Sequence, residues 1–153
     1  MTGEKGTYIL ILFLARFRRI FVGKLGEICF KDGYYAYIGS ALGPGGVKAR
    51  CRHHLAGNSR PHWHIDFLSN QAKIVQIWYV EHPHRFEHEW SNLLSQCEAV
   101  KYPIIGFGTS DCQCPTHLFY LNHPYQLFLE FKAALEARFS KSPSLKIYIP
   151  HTV

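Results

Sequence analysis

The sequence predicts an α/β or α+β fold in which helices cover a small sheet. Three observations carry that expectation. Runs of β-branched and aromatic residues, led by "TYILILFL" at 7–14, have the length and composition of strands. Elsewhere the apolar period becomes helical, as at Val47, Cys51 and Leu55. Turn formers separate the two kinds of segment: Asp-Gly at 32–33, Gly-Pro-Gly-Gly at 43–46 and Gly-Asn at 57–58.

Along the chain, 7–14 is continuous enough in apolar residues to be buried on both faces. "RRIFVGKLGEICF" (18–30) reads as two short strands around a glycine-containing turn. "KDGYY" supplies a turn into a strand from Tyr34 to Gly39, and "SALGPGG" (40–46) reads as a loop. Val47, Cys51 and Leu55 then form the inner face of a helix that Gly57 and Asn58 end. "KIVQIWYV" (73–80) is a further strand. Residues 82–97 carry Phe86, Trp90, Leu93, Leu94 and Cys97 at helical spacing. A last amphipathic helix runs from about Pro124 to Phe139, with Leu127, Phe128, Phe131 and Leu135 on one face, and "LKIYI" (145–149) suits a terminal strand.

The chain has 153 residues, 47% of them hydrophobic, 15% aromatic and 18% charged, which is the make-up of one folded domain and not of a disordered tail. It shows no internal repeat, low-complexity tract or linker. A formal net charge of +6, with ten histidines besides, favours a polyanionic partner, most simply nucleic acid. "MTGEKG" lacks the basic start of a signal peptide, and the apolar run at 8–15 is too short to span a bilayer. The five cysteines are odd in number and irregularly spaced, as expected of reduced thiols. A soluble, cytoplasmic protein with no membrane partner is therefore expected.

The stretch "YYAYIGSALGPGGVKARCRHHL" (34–55) concentrates the chemistry. On a helix from Val47, Arg50 and His54 stand one turn apart beside the apolar stripe, held by packing yet able to reach a groove. The helix starts just after Gly45–Gly46, so its first N–H groups and positive dipole end suggest an anion site there. Arg50 can stabilise charge on a scissile phosphate, and His54 can orient a water or protonate a leaving group. Lys48, Arg52 and His53 add candidate nucleic-acid contacts. The plain alternative for all of them is a basic, solvated helix face.

"GTY" at 6–8, "YIG" at 37–39, Arg50 eleven residues after Gly39 and His54 one turn later resemble the GIY-YIG nuclease superfamily. "HWHIDFL" (62–68) and "GFGTSDCQCPTHLF" (106–119) are similar to a stand-alone branch described as a domain of unknown function and sometimes fused to an endonuclease-III-like glycosylase. The resemblance covers about residues 6–120, leaving 121–153 as a C-terminal helical extension of a single domain, 1–153. It implies a small, mostly antiparallel sheet with both tyrosines on adjacent strands and the arginine on the following helix. It also implies a divalent-metal-dependent endonuclease acting on DNA, with one Mg²⁺ or Mn²⁺ held by a single glutamate. Carried over by motif, Tyr8, Tyr37, Arg50 and His54 are catalytic. Glu87, three residues before Trp90, is the preferred catalytic and metal-binding acid, with Glu89 as its competitor.

A lone carboxylate suits Mg²⁺ or Mn²⁺, hard ions that keep waters and share their coordination with substrate phosphate. Three departures stand out. Tyr8 and Tyr37 are 29 residues apart, so residues 15–33 look like an inserted hairpin. Ser40 stands where many members of the superfamily carry a lysine that supports the tyrosine base, leaving Lys48 or His54 to assist. Thr7 replaces an apolar residue. The Ser40 change favours the rival reading, a non-catalytic nucleic-acid-binding module that keeps the fold.

"DCQCPTH" brings Cys112, Cys114 and His117 together, but C-x-C-x-x-H is not the usual zinc-knuckle spacing. Buried thiols and hydrogen-bonded core imidazoles are favoured over bound Zn²⁺. Read as an extended segment, "HWHIDFL" puts His62, His64 and Asp66 on one face and Trp63, Ile65 and Phe67 on the other. His64 and Asp66 then either pair near the site or cap the region. The sequence leaves the substrate's structure and the oligomeric state open.

Overall fold

A computed structural model describes residues 1–110, 112–138 and 143–151. The strands are β1 (Gly6–Leu14), β2 (Arg18–Phe21), β3 (Glu27–Phe30), β4 (Gly33–Ala41), β5 (Lys73–Glu81), β6 (Val100–Pro103), β7 (Leu118–Leu121) and β8 (Lys146–Tyr148). The helices are α1 (Gly46–Ala56), α2 (His64–Ser69), α3 (Glu87–Ser95) and α4 (Pro124–Arg138). Six strands form one sheet in the order β6-β7-β4-β1-β5-β8, every pair antiparallel. The mixed α/β class and the antiparallel sheet are as expected, and β2–β3 form the separate hairpin. Among the described residues no helix is long and apolar enough to cross a membrane.

β1 lies between β4 and β5, and its alternate side chains seed two cores. Tyr8, Leu10, Leu12 and Leu14 face one layer with Val47 and Cys51 of α1, Ile65 and Leu68 of α2, and Ile20, Val22 and Phe30 from the hairpin region. Ile9 and Ile11 face the other with Trp90, Leu93 and Leu94 of α3 and Leu127, Phe131 and Leu135 of α4. Burial on both faces is why 7–14 lacks polar alternation. Thr7 is the polar exception, fully buried with its Oγ1 accepting the Phe86 N–H at 3.3 Å. That bond ties the start of α3 to the central strand.

Several expectations need correction. Leu55 is exposed, and the buried stripe of α1 runs Val47, Cys51, His54. At about 100° per residue, seven positions return almost to the starting face whereas eight overshoot it by about 80°. Within 82–97 the helix spans Glu87–Ser95, starting right after Phe86, the first of the apolar residues at helical spacing. "HWHIDFL" is not extended: α2 starts at His64, and Asp66 Oδ2 accepts the N–H groups of His62 and Trp63, each at 2.9 Å. Local capping overrode an alternation only a few residues long. The short edge strand β6, largely exposed, carries no period that announces it. Phe139, the expected end of α4, lies outside the described residues.

The helix N-terminus expected to hold an anion is already occupied. Val47 N–H donates to the Glu4 carbonyl at 2.9 Å and Lys48 N–H to that of Thr2 at 3.1 Å. The N-terminal segment passes so close that a Cβ on Gly46, whose φ is +59°, would fall 2.1 Å from the Glu4 oxygen. Backbone carbonyls have taken the donors a phosphate would need.

Candidate functional site

Where β1 and β4 meet α1 and the start of α3, a cavity of about 280 Å³ opens. Its lining includes Tyr8, Tyr37, Ser40, Arg50, His54 and Glu87, residues separated by up to 79 positions in the chain. Antiparallel pairing sets Tyr8 opposite Gly39. The Tyr8 phenol lies across that glycine: a Cβ there would come 2.4 Å from both Tyr8 Cζ and its hydroxyl. Only glycine lets the ring reach the cavity. Gly39→Ala should therefore expel the Tyr8 ring and lower stability by about 1–3 kcal/mol, the usual cost of overpacking. A denaturation midpoint equal to that of the parent protein would show that the ring is not so confined.

Tyr8 Oη sits 2.7 Å from His54 Nε2. Burial holds the Tyr8 phenol well above the usual tyrosine range, with the Tyr37 hydroxyl adding to it and the Arg50 guanidinium opposing. Burial likewise raises Tyr37, with Glu87 adding and Arg50 opposing. His54 is 3% exposed, and burial, with His53 beside it, depresses its pKa to about 3. It is thus neutral, and not a cation that could draw the tyrosines down. Arg50 is left in that role, its guanidinium carbon 4.3 Å from the centre of the Trp63 ring, a stacked cation.

The sign of the His54 shift makes stability pH-dependent. Above about pH 6.5 the ring is neutral whether the chain is folded or unfolded. Below it the unfolded chain takes up a proton that the folded one refuses, so stability falls as the pH drops towards 3. Between pH 7 and 5 this amounts to about 2 kcal/mol. In urea melts the parent should lose about 2 kcal/mol more stability between the two pH values than His54→Phe does, and parallel pH dependences would contradict a neutral His54.

Glu87 is 12% exposed on its side chain, with Oε2 3.5 Å from Arg85 Nε and Oε1 3.5 Å from His117 Nδ1. Burial raises its pKa, while Arg85, His88, Ser40 and Arg50 favour the charged form. Glu89 points away, 43% exposed and 3.4 Å from His84. Among the described residues Glu87 is the one carboxylate lining the cavity.

The basic residues expected beside it do not join it. Lys48 and Arg52 lie on another face of α1, lining a separate depression with Cys51 and Leu55. His53 Nε2 is 3.4 Å from Asp66 Oδ1 and its ring packs edge-on to Trp63. Asp66 therefore caps α2 and meets His53, while His64 Nδ1 accepts the Gly108 N–H at 2.8 Å. His62 packs on Trp63 and does not line the cavity. Two lining residues carried no signal in the sequence reading: Arg85, two positions before Glu87, and Trp63, within "HWH". Their neighbours Glu87 and His62 were the available pointers.

Among the described residues two groups of side chains could hold a metal ion: His88, Cys112, Cys114 and His117, and His53, His54 and Asp66. All five cysteines are free. His117 is 1% exposed, yet among the described residues neither ring nitrogen makes a hydrogen bond, and Cys112 and Cys114 are only half-buried. The expectation of buried thiols and hydrogen-bonded imidazoles does not hold here: the thiols lie on a surface loop, and Glu87 Oε1, 3.5 Å from His117 Nδ1, falls short of a hydrogen bond.

Residues 7–140 match a family described as a domain of unknown function, DUF123. The chain belongs to the DUF123 family. The match takes in every residue lining the cavity, and Thr7, which anchors α3, is its first position. No curated protein and no solved structure matches this DUF123 chain.

Proposed function

We propose that this DUF123 protein is a divalent-metal-dependent phosphodiesterase of GIY-YIG type that cleaves DNA. The observation that carries the reading is the convergence of Tyr8, Tyr37, Arg50, His54 and Glu87 on one cavity. Phosphodiester hydrolysis needs a proton acceptor for the attacking water, positive charge near the phosphoryl oxygens and help for the leaving oxygen. The cavity supplies the first through Tyr8: its hydroxyl is held 2.7 Å from neutral His54 Nε2, and the Arg50 guanidinium favours the phenolate that would take the water's proton. With Ser40 in place of the superfamily's lysine and Lys48 off the cavity, Arg50 is the cation that supports Tyr8 and His54 orients its hydroxyl. Arg50, fixed by Trp63, and Arg85 at the rim meet the phosphate charge.

Glu87 fits the metal. A partly buried carboxylate whose ionisation burial opposes gains from a cation, and a single hard ligand leaves Mg²⁺ or Mn²⁺ its waters. That ion would polarise the phosphoryl group. Incubation of the protein with labelled branched, nicked and single-stranded DNA, with Mn²⁺ or with EDTA, tests the reading. Metal-dependent cutting is expected. DNA binding with no cutting under any divalent ion would favour the non-catalytic module, the reading to which Ser40 lends support.

A further inference from the structure

We propose that His88, Cys112, Cys114 and His117 form a four-coordinate structural zinc site that ties the chain around the two cysteines to the start of α3. His88 Nδ1 lies 3.0 Å from Cys112 Sγ and 3.2 Å from Cys114 Sγ. All four ligand atoms lie within 4.8 Å of one another. Tetrahedral zinc with bonds of about 2.0–2.3 Å spaces its ligands by about 3.3–3.8 Å, so the cluster closes around the ion with small side-chain movements.

Donor chemistry selects the metal. Two thiolates and two imidazoles suit zinc, whereas Mg²⁺ and Ca²⁺ take oxygen. Binding releases the two thiol protons, and the two thiolates cancel the charge of the dication. A set of four protein ligands leaves no open position, which is the mark of a structural and not a catalytic zinc.

The surroundings point the same way. His117 is a fully buried imidazole: Nδ1 lies 3.5 Å from Glu87 Oε1, but among the described residues neither nitrogen makes a hydrogen bond, an arrangement that costs free energy unless a ligand is supplied. A surface depression lined by His88, Ser110, Cys112, Gln113 and Cys114 gives an ion a way in. His88 comes from 24 positions before Cys112, which is why no local motif announces a fourth ligand. Cys112 and His117 also line the cavity, so the zinc would brace its wall. None of this depends on the nuclease reading.

Metal analysis tests it on the full chain, purified under reducing conditions without chelator. One zinc per chain is expected. After stripping, Co²⁺ should give the thiolate charge-transfer and strong tetrahedral bands. In competition with a chromophoric chelator, Cys112→Ser and Cys114→Ser should each lose more affinity for zinc than the roughly 10–100-fold that removal of an outer-shell partner costs. Cys29→Ser, at an exposed thiol away from the cluster, should bind zinc like the parent protein. Protein that takes up no zinc against the chelator, or uptake unchanged in both cysteine variants, overturns the site. Should those variants not fold, the Co²⁺ spectrum of the unaltered protein decides, and the absence of a thiolate band overturns it. Cleavage plays no part in these readouts, so the two proposals fail separately.

Discussion

Arg50→Ala is expected to lower DNA cleavage by a factor on the order of 10²–10³, the usual cost of removing one preorganised charge from a phosphoryl-transfer or oxyanion site. Three effects act together. The charge nearest the phosphate disappears. Tyr8 and Tyr37, already raised by burial, lose the guanidinium that draws both down, so proton transfer through Tyr8 becomes harder. Trp63 loses the cation stacked 4.3 Å from its centre, about 0.5–1 kcal/mol of local order. The protein should still fold, because the buried stripe of α1 is Val47, Cys51 and His54. Arg50→Lys keeps the charge and loses the flat stacking surface, so intermediate activity is expected. Arg50→Ala cutting at the parent rate would remove Arg50 from the reaction.

Glu87→Gln is expected to eliminate cleavage altogether while leaving DNA binding intact or slightly tighter. The amide keeps the shape of the carboxylate beside Arg85 and His117 but cannot hold a hard dication at neutral charge. One fewer negative charge faces the incoming phosphates. Glu89→Gln is the matched control: at 43% exposure and away from the cavity, it should leave both cleavage and affinity unchanged. The pair is to be measured for rate under Mn²⁺ and for affinity by anisotropy. Full activity in both variants would end the single-glutamate site.

Long, regular patterns were readable without coordinates. The apolar run of β1, the helical spacing in α3 and α4 and the Asp-Gly turn into β4 each contain enough residues for periodicity to dominate local chemistry. Short segments were not. "HWHIDFL" alternates for only a few positions, and one carboxylate accepting two backbone N–H groups turned it into a helix start. Leu55 and His54 exchanged expected places because a difference of one position moves a helical residue by about 100°.

What the sequence determined by itself was the mixed class of strands and helices; the antiparallel sheet and the candidates Tyr8, Tyr37, Arg50, His54 and Glu87, with Glu89 as competitor, were what the resemblance implied. Tertiary structure decided what those groups are chemically. Burial made His54 neutral, while packing turned Lys48 and Arg52 to another face, filled the α1 N-terminus with the carbonyls of Thr2 and Glu4, and put Glu87, not Glu89, on the cavity. It also gathered His88 with two cysteines and a histidine that lie 24 to 29 positions further along. Protonation states and ligand sets depend on distance and desolvation in space, and sequence separation encodes neither once the contacts run across a folded sheet.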